Sequence, residues 1–135
     1  MASTRPFPVR LSRALSAIMH GVYNPWDESD DLFTPFHVEI PADAALDDAT
    51  LRAALEVSSR YSLDRAGVEF AEVAENAGED DIASSWRTLG AIMGASLTDV
   101  VLIHARAPGV VRVRTWLLGR AGGWLVGLRT TSTET

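Results

Sequence analysis

The stretch from Thr98 to Thr131 constrains the fold more than any other. It divides into three apolar runs, DVVLIHAR, VVRVRTWLL and WLVGLRTT. The joints are Ala107-Pro108-Gly109 and Gly119-Arg120-Ala121-Gly122-Gly123. Val, Ile, Leu, Thr and Trp dominate all three runs, and such side chains fit a pleated surface. Glycine in the joints supplies the positive φ that tight turns need. The pattern predicts a β-meander of antiparallel strands. A sheet this apolar needs a layer of helices over one face, and the preceding residues have the periodicity to supply it.

Residues 1–8 hold two prolines and little to bury, and read as a frayed, flexible start. From Val9 to Tyr23, Leu11, Leu15, Ile18, Met19 and Val22 recur at i, i+4, i+7, i+8 and i+11, the stripe of an amphipathic helix. Gly21 and Asn24-Pro25 mark its end. Trp26 to Thr34 reads as an acidic loop. Next, Phe36, Val38 and Ile40 alternate with His37 and Glu39 between Pro35 and Pro41, which predicts a half-buried strand near a sheet edge. Asp47, Asp48 and Thr50 start a helix over about 49–60. Ser62 is placed as the cap of another helix that carries Leu63, Phe70, Val73 and Ala77 and stops at Gly78, although Val68-Glu69-Phe70 also suits a short extended piece. Glu79-Asp80-Asp81 puts acid at the positive end of a last helix bearing Ile82, Trp86, Leu89 and Met93, closed by Gly94. The predicted fold class is α+β. An antiparallel sheet, made of the C-terminal meander and one earlier strand, packs against three to four helices in a single domain spanning 1–135.

Composition narrows the function classes. There is no cysteine, which excludes disulfides, thiolate zinc sites and cysteine nucleophiles. There is no lysine, and all twelve basic residues are arginine, as a GC-rich genome would produce. Residues 1–26, 27–99 and 100–135 carry local charges of +3, −13 and +4, for a net charge of −6. A net acidic chain is a poor general nucleic-acid binder, because phosphate neutralisation supplies most non-specific affinity. No run approaches the roughly 20 apolar residues of a membrane span, and Arg10 and Arg13 interrupt any signal-peptide core. The acid-free N-terminus resembles a transit peptide superficially, but its apolar face reads as ordinary core. The expectation is a cytoplasmic protein with neither nucleic acid nor membrane as partner.

Catalytic signatures are missing. The acidic loop WDESDDLFT lacks the sixth-position glycine and twelfth-position glutamate of a calcium loop. His20, His37 and His104 have no close metal spacing, although His37 and His104 could meet on neighbouring strands. No serine sits in a nucleophile elbow, and GRAGG, without a following lysine, is a hairpin turn. His104, Asp99 and Glu39 are the available acid–base groups. No catalytic residue, metal ligand or cofactor is assigned.

One face of the middle strand carries more information. Alternation places Val111, Val113, Thr115 and Leu117 on one side and Arg112, Arg114, Trp116 and Leu118 on the other. With helices over the first side, the second presents two arginines beside an aromatic, and Trp124 follows across the hairpin. Arginine–aromatic surfaces are common in protein recognition. The same residues can also form a cross-strand Arg–Trp stack that only stabilises the sheet. Arg112, Arg114, Trp116 and Trp124 are the candidate partner-binding residues.

The pieces Trp86–Leu89, Val100–Arg106, Val111–Leu118, Gly119–Gly123 and Trp124–Arg129 resemble the end of one half of an EspG-type protein. EspG proteins are the cytosolic chaperones of actinobacterial type VII secretion. Pro8–Ile18 is similar to the strand and first helix of such a half. The chain departs from the family in length, since EspG proteins contain two halves, and in its strand and acidic loop over 27–41. The resemblance implies a cytosolic α+β protein that binds a partner without a cofactor. Two readings follow. One is a non-enzymatic, chaperone-like module that holds another protein, or a second copy as a homodimer, through its sheet. The alternative is a cone-shaped pocket protein of the nuclear-transport-factor or ketosteroid-isomerase type, which binds or isomerises a small apolar ligand.

Overall fold

A computed structural model describes residues 7–23, 25 and 31–133. Its elements are α1 (Phe7–Ile18), β1 (Thr34–Glu39), α2 (Asp48–Leu55), β2 (Ser62–Ala66), α3 (Phe70–Glu75), α4 (Asp80–Ser96), β3 (Thr98–Arg106), β4 (Arg112–Ala121) and β5 (Trp124–Thr133). The fold is α+β. The strands form one antiparallel five-stranded sheet in the order β1-β5-β4-β3-β2.

The meander forms the centre of the sheet, as its composition predicts, and β1 joins its outer side. Val100 and Leu102 of β3, Leu117 of β4 and Val126 and Leu128 of β5 line one face. Over them lie Leu11 and Leu15 of α1, Ala74 of α3, and Trp86, Leu89 and Met93 of α4. Leu15, Leu89, Met93 and Leu128 are fully buried there. Within this layer the Thr115 and Ser132 hydroxyls satisfy each other at 2.9 Å.

The other face is covered too, contrary to the expectation that it lies open. Leu51 and Leu55 of α2, with Ile40 and Val57 of the flanking loops, pack on Ile103, Ala105, Trp116, Leu118 and Leu125. Asp47 caps α2 by accepting the Thr50 N–H at 2.8 Å. That bond holds the Asp47 carboxyl below its ordinary range. The helix stops sooner than expected because Glu56 turns into the left-handed region at φ 55°.

Other boundaries also move. Ser62 opens β2, an edge strand on β3, and not a helix; only the short α3 remains of that helix. Leu63 and Ala66 are the apolar residues of this run and do not alternate, so no period-2 pattern announces it, and the β3 edge imposes extended structure. Phe7 and Pro8 belong to α1, where proline in the first turn loses no intrahelical bond. Gly94 lies inside α4, which continues to Ser96. The joint between β4 and β5 shrinks to Gly122-Gly123, with Ala121 paired to Trp124. Gly122 has φ +57°, the conformation a tight hairpin demands. Of the expected acidic loop, residues 26–30 lie outside the described residues.

Candidate binding surface

Arg112, Arg114 and Trp116 share the α2 side of β4, as alternation requires. Trp116 is a correction to the exposed aromatic expected there. It retains 4% exposure because α2 seals it into the second core. Trp124 is the other correction, since it packs half-buried on the opposite face, against the α1–α4 core. The reason is register. Ala121 pairs Trp124 across a two-residue turn, so Trp116 opposes Arg129 and the even-numbered residues of the two strands point to opposite faces. The His37 ring lies on the Trp124 side, 6.0 Å away between centroids.

New neighbours join the two arginines. The Arg114 guanidinium lies 5.4 Å from the Trp116 ring and 5.8 Å from the Tyr61 ring. Both its terminal nitrogens approach the Glu56 carbonyl at 3.4 Å, where α2 ends. Arg60 sits over Tyr61 at 5.0 Å and donates to its hydroxyl at 3.0 Å. That hydrogen bond, then the Arg60 charge, and to a smaller degree the Arg114 charge, lower the Tyr61 pKa. Arg112 keeps 60% of its side chain exposed while pairing with Asp31 at 3.1 Å. Arg129, exposed and opposite Trp116, makes no side-chain hydrogen bond or ion pair to any described residue. It borders a cleft of about 140 Å³ with Arg114, Phe36 and Glu56.

The surface is therefore Arg60, Tyr61, Arg112, Arg114 and Arg129 around the end of α2. Arg129 was legible in principle, because alternation from a two-residue turn places it beside Trp116. Arg60 and Tyr61 lie in a connection without periodicity, and no local signal marks them. Such a surface suits carboxylates and carbonyl oxygens. Guanidinium groups stacked on rings are already oriented and present several N–H donors.

The acid–base candidates do not converge. Glu39 is exposed on β1, and Asp99 is exposed at the bulge that opens β3, with φ 53°. With β5 and β4 between their strands, they stand about 14 Å apart at ordinary strand spacing. His104 is half-buried and paired to Asp64 and Thr115 in register. His37 and His104 are likewise kept apart by β5 and β4. A cavity of about 600 Å³ opens beside α3 and α4, lined by Val22, Val68, Val73, Ile82 and Trp86 with Glu69 and Glu72. None of Glu39, Asp99 and His104 lines it. Among the described residues no group of three or more His, Asp or Glu side chains is placed to hold a metal ion. No described helix is long and apolar enough to cross a membrane.

Comparison with protein-family models finds none that matches the chain, and comparison with curated proteins finds no match.

Proposed function

We propose that the chain is a non-enzymatic, chaperone-like binding module in the cytoplasm. It holds a partner protein, or a second copy of itself, on the α2 side of its sheet. The observation that carries this reading is the arginine cluster in a chain of net charge −6, with Arg60 and Arg114 propped on Tyr61 and Arg112 and Arg129 exposed beside them. Clustered, pre-oriented guanidinium groups lose little freedom on meeting an acidic segment. The likeness of the meander to an EspG-type half supports the same reading. The acid–base candidates stand apart, and that favours binding over proton-transfer chemistry.

The test is capture of interacting proteins from the host lysate by the tagged chain, beside the double variant Arg112→Glu with Arg129→Glu. Both positions are exposed, so the fold should survive, as circular dichroism can verify. Loss of a specifically enriched polypeptide from the variant is the expected result. An unchanged set of captured proteins, with the variant folded, would discard this surface. Trp116 is unsuitable for the test, since truncating it opens a cavity in the core.

A further inference from the structure

The geometry points to a second interaction surface, the outer edge of β1, and to its occupant. That occupant is a second copy of this chain, paired antiparallel about a two-fold axis with His37 opposite Glu39 of the other copy.

The backbone supplies the first argument. β1 is the outermost strand of the sheet, and Ile40 N–H donates to Gly123 at 2.8 Å. In an antiparallel ladder alternate residues turn their backbone groups to the partner, so Phe36, Val38 and Ile40 face β5. His37 and Glu39 then turn N–H and C=O outward, where no described strand pairs with them. Pro35 also falls on the outward set, which is why it removes no ladder bond. Between Pro35 and Pro41 the edge therefore offers two backbone donors, those of His37 and Glu39.

The side chains supply the second. Phe36-His37-Val38-Glu39-Ile40 reads apolar, His, apolar, Glu, apolar, and its reverse complements it. Centred on Val38, two antiparallel copies set Val38 against Val38 and Phe36 against Ile40 on the α2 side. They set His37 against Glu39 twice on the α1 side. Each His37–Glu39 position exchanges two backbone hydrogen bonds, so the seam holds four. Sliding the seam to the neighbouring hydrogen-bonding registers sets either His37 against His37 or Glu39 against Glu39, and both lose the imidazole–carboxylate pairs.

The surroundings fit a closed pair. A groove of about 710 Å³ runs between β1 and α2, with half-exposed Phe36 and Val38 on one wall and Ala49 and Ala53 on the other. The small alanines leave room for the apolar side chains of the second copy. The far edge, β2, carries exposed Asp64 and Arg65 and lacks the self-complementary pattern. Pairing through β1 thus closes as a dimer and does not propagate into a fibre. This inference rests on the β1 backbone and not on the arginine surface, so either can fail alone.

Sedimentation equilibrium of the full chain tests it. The wild type should associate to a dimer. His37→Pro should be monomeric with an intact fold, because the N–H it removes faces away from β5. Glu39→Arg should raise the dimer Kd about tenfold or more by removing the carboxylate that meets the His37 imidazole at both ends of the seam. Adding His37→Glu to Glu39→Arg should restore association, since a carboxylate–guanidinium pair then stands where each imidazole–carboxylate pair stood. Should His37→Pro fail to fold, the charge-swap pair decides alone. A wild type that stays monomeric, even one that captures some other polypeptide, overturns the proposal. So does a dimer indifferent to both Glu39→Arg and the swap.

Discussion

The guanidinium of Arg120 reaches four carbonyl oxygens. Its Nε donates to Gly122 at 3.0 Å, its Nη2 to Pro41 at 3.1 Å and Ala42 at 2.7 Å, and its Nη1 to Ala44. Nearby, Arg65 donates to the Leu46 carbonyl at 2.7 Å, so two arginines hold the connection that leads into α2. Hydrogen bonds from a charged donor are the stronger kind, and a planar guanidinium can serve several acceptors at once. Arg120→Ala should therefore lower stability by about 3 kcal/mol in chemical denaturation. Arg120→Lys should recover little of it, because one ammonium cannot span that set of acceptors. Full rescue by lysine would show that charge alone matters here. Alternation put Arg112 and Arg114 on the α2 side of β4 correctly. It could not say that the next arginine on that side, Arg120, turns inward to hold a loop.

Elements in this fold are governed by close backbone approach as much as by side-chain pattern. A Cβ at Gly127 would collide with the Leu117 carbonyl oxygen and lie 2.7 Å from the Leu118 Cα. β4 and β5 can therefore meet at this point only with glycine there. Gly127→Ala should destabilise by about 3 kcal/mol, since the obstruction is backbone and cannot rotate away. Thermal unfolding checks it, and a midpoint within a degree or two of wild type would contradict it. In sequence, WLVGLRTT reads as an apolar strand whether or not its glycine is needed. The same limit explains the tryptophans. Both were legible as strand residues, but which face Trp124 takes relative to Trp116 depends on whether the hairpin turn has two residues or five, and GRAGG accommodates either. Ser62–Ala66 was illegible for a different reason, because its extended structure comes from the β3 edge it joins.

At the scale of the molecule, one sheet serves two apolar layers. Leu117, Val126 and Leu128 belong to the α1–α4 side, while Trp116, Leu118 and Leu125 belong to the α2 side. Alternate residues of the same strands thus report to different cores, and neither layer can loosen without disturbing the strands that form the other. Leu55 is buried to 4% exposure in the α2 layer. Leu55→Ala should lower the stability of the whole fold by about 3 kcal/mol. It should leave a single transition, in which far-ultraviolet dichroism and tryptophan fluorescence coincide. A separate early transition would show that the α2 layer unfolds by itself.

The sequence alone determined the class of this fold, because period-2 apolar runs with glycine joints and period-3.6 stripes allow little else. It determined the meander, the β1 alternation between prolines, and the stripes of α1 and α4. It also placed Arg112 and Arg114 together on one face of β4. Tertiary structure decided the rest. Hairpin register sent Trp124 to the opposite face, and the packing of α2 removed Trp116 from solvent. Hairpin register set Arg129 opposite Trp116, and chain crossings of no local signature brought Arg60 and Tyr61 beside Arg114. Strand and helix periodicity are properties of neighbours along the chain. Which face is covered, and by what, depends on residues far apart in sequence, such as Leu55 over Trp116, whose meeting no local pattern encodes.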